Sequence, residues 1–181
     1  PVGPFVVPGR FTVTLGKIVD GVMTPIAEAR TFTVESLAMA TLAEKDKAAL
    51  LGFQNMAGEL QRAMMGAGAA AEDALKAFPF IYKALIDAPK ADPKLAETAR
   101  AIEGRLRDQL AVLFGDRTKQ RRSEPASPSL MDRLTAQLDA TGPITSTARR
   151  GYDIAADGFE KLLMEMRRTI EVDLKKLQAD L

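Results

Sequence analysis

From Tyr152 to Leu181 an apolar residue recurs at every third or fourth position: Tyr152, Ala155, Phe159, Leu162, Met166, Ile170, Leu174, Leu177 and Leu181. The steps average about 3.6 residues, the α-helical period. Thr145 stands where it can cap this helix, which then runs for about 36 residues, or roughly 54 Å. A helix of that length with one apolar stripe has to lie against others along its whole run. Each large side chain so buried contributes on the order of 1.5–3 kcal/mol. An antiparallel bundle of about four helices is the simplest cover.

Other segments supply the partners. Asp92-Pro93 provides an N-cap and a proline at the first helical position. Leu95, Ala99, Ile102, Leu106, Leu110 and Leu113 then form a buried stripe that Gly115 ends. Upstream, Thr41 and Glu44 have capping-box spacing. Leu42, Ala49, Phe53, Met56, Leu60 and Met64 follow along one face, with Ala71, Leu75, Phe78, Tyr82 and Leu85 beyond them. Gly66 and Gly68 mark a close-packing or hinge point, and Pro79 a kink or a break. One bent helix and two separate helices are both open for residues 41–88. Residues 116–129 read as a polar loop with Pro125 and Pro128. A short helix then turns Leu130, Leu134 and Leu138 inward before Gly142-Pro143.

The composition changes abruptly near residue 36. Before it, Phe11, Val13 and Leu15 alternate with Thr12 and Thr14, the period of a half-buried strand. Asp20-Gly21 suits a tight hairpin turn, and a return strand runs from Val22 to Val34. Pro25 cannot donate to a ladder and belongs at an edge or bulge. Two strands alone are marginal in water, so the apolar face needs a cover: the helices, a missing part of a parent protein, or a second copy, with the truncated end of a β-sandwich as the plainest reading. The expected fold class is therefore mainly α, an elongated antiparallel helical bundle with an N-terminal β-hairpin. Residues 1–36 form the hairpin and residues 37–181 the bundle.

The chemistry available is narrow. The 181 residues include no Cys and no His, which removes the usual ligands of zinc, haem and iron–sulfur sites and the Ser–His and thiol mechanisms. No metal and no cofactor is expected, and no residue is singled out as catalytic. Lys and Arg number 25 against 24 Asp and Glu, so net charge gives no pull toward nucleic acid. No apolar run reaches the roughly 18 residues of a membrane span. Arg117, Lys119, Arg121 and Arg122 are the one basic cluster and the candidate contact for an anion or acidic partner. They lack interleaved aromatics for base stacking, and a solvated loop is the plainer reading. Gly66-Ala67-Gly68 lacks the following Gly-Lys-Ser/Thr of a phosphate loop. Glu160, Glu165, Glu171 and Asp173 read as helix-surface charge, and Arg149, Arg150, Arg167 and Arg168 as the wet edges of the last stripe. The eight Met residues read as core filler. Tyr82 and Tyr152 could hydrogen-bond across the bundle, with no partner base identifiable for either.

Two segments carry a resemblance. One is Pro4-Phe5-Val6-Val7-Pro8-Gly9-Arg10-Phe11-Thr12-Val13-Thr14-Leu15 with Asp20-Gly21. The other is Leu130 to Leu138, then Gly142-Pro143-Ile144-Thr145, Tyr152, Phe159 and Asp173-Leu174. In this order they resemble the C-terminal region of bacterial sortilin-like, BNR-repeat β-propeller proteins, many of them labelled glycosyl hydrolases. The chain departs from that pattern with a longer return strand around Pro25 to Arg30 and with Glu35-Ser36-Leu37 in place of Asp-Pro-Arg. Residues 66–90 have no clear counterpart in it.

The resemblance implies a fragment of a larger exported protein, extracellular or periplasmic, with a propeller upstream. The hairpin would then close an immunoglobulin-like sandwich. No catalytic residue is carried onto this chain. The expectation is a non-catalytic structural or protein-interaction module that packs on the propeller or self-associates through its hairpin. Two alternatives stand beside it. One is an accessory part of a glycoside hydrolase, which would need paired carboxylates about 5–5.5 Å apart in a cleft. The other is a cytosolic regulatory bundle that binds an anion through residues 117–122, a setting the missing cysteines also suit.

Overall fold

The computed structural model describes residues 6–36, 42–88, 92–135 and 142–181. The protein is mainly α, a helical bundle preceded by a β-hairpin. It divides into two compact units. One holds the hairpin, the first turns of the first helix up to Asn55, and residues 142–144; the other begins at Met56 and holds the remaining helices.

The hairpin is a long two-stranded ribbon interrupted once. Strands β1 (Gly9–Val13) and β4 (Arg30–Val34) pair antiparallel with Phe11 opposite Phe32. Strands β2 (Gly16–Val19) and β3 (Val22–Pro25) pair with Ile18 opposite Met23. Asp20 (φ 52°) and Gly21 (φ 80°) form the tip. Positive φ at both central residues is what a type I′ turn requires and what Asp-Gly tolerates. The return strand is not continuous from Val22 to Val34. Thr14 and Leu15 on the outgoing side face residues 26–29 on the return, and Ile26 N donates to Leu15 O across the gap at 3.0 Å. The interruption follows Pro25, the last paired residue of β3, which has no N–H for the ladder.

In the helical unit, α1 (Glu44–Leu75) passes through Gly66 and Gly68 unbroken. It ends before Lys76-Ala77, and α2 (Phe78–Asp87) starts there with Pro79 in its first turn. Two helices are thus present, and the break lies just before the proline rather than at the glycines. Phe53, Ala57, Met64 and Ala71 are buried along α1. Ala49 and Met56, expected inward, face out, and Met56 is 46% exposed. The buried line runs through Ala57 instead, one residue round the helix. Thr41 and the side chain of Glu44 lie outside the described residues, and with them the capping box.

Helix α3 (Pro93–Phe114) matches its stripe, with Ala99, Ile102, Leu106 and Leu113 buried. The Asp92 carboxylate accepts from Lys94 N at 2.9 Å, and Gly115 closes the helix at φ 89°. The segment after it is not all loop: Arg117–Arg121 forms a short helix, α4, because the Asp116 carboxylate accepts from Thr118 N and Lys119 N. Helix α5 (Leu130–Thr135) is capped by buried Ser129, which exchanges hydrogen bonds with Asp132. Leu130 and Leu134 are buried, while Leu138 lies outside the described residues.

Helix α6 (Ser146–Arg167) begins where Thr145 Oγ1 accepts from Ala148 N at 3.0 Å. It does not continue as α-helix to the end. Arg168–Leu174 is π-helical, and α7 (Lys175–Ala179) follows. Ala155, Phe159, Leu162, Met166, Leu174 and Leu177 are buried as expected, whereas Leu181 at the free end is not. Helix α3 sits at the centre, against α2, α5, α6 and the π segment. It runs antiparallel to the last of these, with Arg105 beside Asp173 and Gln109 beside Thr169.

Candidate functional site

Four places among the described residues gather side chains that could do something: a polar cluster between α2 and α3, two grooves in the helical unit, and the surface of the ribbon.

The polar cluster forms because Tyr82 lies on the α2 face turned to α3, opposite Glu103. The phenol donates to Glu103 Oε2 at 2.6 Å, and Arg107, one turn on, donates to Oε1 at 2.6 Å. Desolvation pushes the Tyr82 phenol up to about 12, helped by the bond to the carboxylate and by its charge. The bond from Tyr82, then that from Arg107, holds the Glu103 carboxyl below its usual range. A general acid or base works best with its pKa near the operating pH. Here the two values move apart, each away from neutrality, so the proton stays on the phenol and the charge on the carboxylate. The arrangement suits a cross-link between helices. It supplies the partner for Tyr82 that sequence reading lacked; the signal was Glu103 and Arg107 at i,i+4 spacing on α3.

One groove, of about 330 Å³, is floored by Leu75, Leu110 and Phe114 and rimmed by Glu72, Arg107 and Arg117. Both rim cations already have partners: Arg107 binds Glu103, and Arg117 reaches Glu72 at 3.6 Å. Of the basic cluster only Arg117 lines this groove. Arg122 reaches Glu124 at 3.7 Å, and all four cations are exposed. On α4, Arg117 and Arg121 lie one turn apart, with Lys119 on the far side. The fold does not bring the four to one point.

The second groove, about 350 Å³, lies between α1 and the C-terminal helix, walled by Ala63, Gly66 and Ala70 on one side and Phe159, Leu163 and Ile170 on the other. Of the acidic residues on that helix, Glu160, Glu165 and Glu171 are exposed. Asp173 is half-buried and paired with Arg105 at 2.8 Å. Among the described residues no three carboxylates are placed to hold a metal ion, and no helix is long and apolar enough to cross a membrane.

The ribbon is the most unusual surface. Cross-strand partners share a face, so Ile18 and Met23 lie on one side of β2–β3 and Val19 and Val22 on the other. All four are open to solvent, at 71%, 59%, 57% and 66%. Farther along, Phe11 stacks on Phe32 with ring centroids 6.0 Å apart, and Val13 joins them on the same face. Each strand pairs on one edge only among the described residues. The turn and the strand alternation were visible in the sequence; apolar pairs on both faces were not, because they depend on the register.

These features define a helical bundle with an appended, largely bare β-ribbon. No protein-family model matches the chain, and neither a curated protein nor a solved structure matches it.

Proposed function

We propose that this chain is a non-catalytic structural and protein-interaction module whose ribbon docks on another β-structure. In the fullest form of the proposal it is the C-terminal part of a larger exported β-propeller protein of the sortilin-like, BNR-repeat kind. The helical unit then anchors the ribbon, and the ribbon completes a sandwich next to the propeller.

The observation that carries this reading is the pair of apolar faces on β2–β3. A ribbon with one solvated side shows polar residues there, whereas strands covered on both sides read as apolar runs. Unpaired edges add main-chain donors and acceptors that an incoming strand can use. The Tyr82–Glu103 cluster supports the non-catalytic part, since its pKa values suit neither acid nor base work near neutrality.

Light scattering on the full chain and on an Ile18→Lys, Val22→Lys double variant tests the docking role. The two substitutions charge opposite faces of the ribbon. The full chain, left without its β partner, is expected to self-associate as concentration rises, and the variant to stay monomeric. Equal, purely monomeric behaviour of both would remove the ribbon from the account.

A further inference from the structure

The two edges of the β2–β3 ribbon are not equivalent. A two-residue turn makes Val19 and Val22, which flank it, a hydrogen-bonded pair. Bonded and non-bonded pairs alternate along an antiparallel ladder. Lys17–Thr24 is therefore bonded as well, and Ile18–Met23 and Gly16–Pro25 are not. The next bonded pair in the series is Leu15–Ile26, where Ile26 N does donate to Leu15 O at 3.0 Å.

Residues of the non-bonded pairs turn their N–H and C=O away from the partner strand. On β2 these are Gly16 and Ile18, each with a donor and an acceptor. On β3 they are Met23 and Pro25, and Pro25 has no N–H to give. The outer row of β3 is one donor short, whereas that of β2 is complete. Among the described residues neither row meets another strand.

The side chains beside the complete row suit a second strand of the same kind. Ile18 offers an apolar surface on one face and Val19 on the other, both exposed. Lys17 is the one charged residue of β2, and a charge on an edge strand deters pairing. It deters only the antiparallel register that sets it against its own copy, where like charges meet. Centred on Gly16 or Ile18 instead, the pairing sets Lys17 against Leu15 or Val19 of the second copy. Residues 6–36 carry three basic side chains, Arg10, Lys17 and Arg30, and three acidic ones, Asp20, Glu28 and Glu35. Two ribbons thus meet without net repulsion.

We infer that a second copy of this chain pairs antiparallel along β2, edge to edge, so that two β2–β3 ribbons form four strands about a two-fold axis. The inference rests on the docking role proposed above. It adds which edge is used, and what occupies that edge when the chain is alone.

Single-cysteine variants of the full chain, which has no cysteine of its own, test it. Lys17 and Thr24 are cross-strand partners on one face, and both are exposed. Across the paired edge the two copies of position 17 are diagonal neighbours, about 7–8 Å apart. The two copies of position 24 are three strand spacings apart, about 14 Å. A short bismaleimide is added at a concentration where light scattering shows the parent associated. Lys17→Cys is expected to form covalent dimer about tenfold faster than Thr24→Cys, or more, because the linker then closes within an existing pair. Equal rates, or faster dimer formation through Thr24→Cys, overturn the edge assignment and leave the docking role standing. A parent that stays monomeric at every concentration removes both.

Discussion

Gly66 and Gly68 are two residues apart on one helix and answer to different physics. A Cβ at Gly66 meets nothing within 4 Å, whereas one at Gly68 clashes with the edge of the Phe114 ring. Gly66→Ala therefore gains the ordinary helix-propensity difference and raises stability by about 0.5–1 kcal/mol in chemical denaturation. Gly68→Ala pushes Phe114 out of a packed position and lowers stability by about 1–3 kcal/mol. Glu103 offers a second residue-scale test. Its carboxyl is held below the ordinary 4.5, so its contribution is present above that value and lost as pH falls through the lowered one. Tyr82→Phe removes the largest cause of the shift. The fall in thermal midpoint between about pH 6 and pH 3 is then shallower in the variant than in the parent. Part of the acid loss remains in both, because the Asp116 carboxyl, held down by the Lys119 and Thr118 amides, titrates in the same direction.

At the scale of elements, caps and stripes carried most of the sequence reading. Asp92-Pro93, Gly115 and Thr145 act where their types predict, because a cap is a local hydrogen bond. Thr145→Ala leaves the Ala148 amide unpaired and costs about 1 kcal/mol, measurable by urea denaturation. Met56 misled because a residue on the margin of a stripe faces in or out according to its neighbours, and Ala57, one residue round, is the one buried. The hairpin tip was legible from Asp20-Gly21 alone. Pro25 signalled a break in the ladder, but not its size, since two extra residues on the return strand alter no local preference. The π turn was not legible, since apolar steps of three and four that average about 3.6 residues fit an unbroken α-helix equally well. Of the candidate site, the basic cluster was easy to see but scatters on folding. The Tyr82–Glu103 bond needs two helices to meet before it exists.

The whole molecule pairs a helical unit that has its own core with a ribbon that has none. The core is contiguous from Ala57 through Leu106 and Phe159 to Leu177, whereas the apolar pairs of β2–β3 remain in water. An isolated two-stranded ribbon is marginal at best, so the two units should differ widely in local stability. Residue-resolved hydrogen exchange on the full chain reads that difference directly. Amides in the middle of α3 and α6 are expected to exchange only through global unfolding, and those of β2 and β3 orders of magnitude faster. Ribbon amides as protected as those around Leu106 would show a hairpin already supported within this chain, and would contradict its role as a surface awaiting a partner.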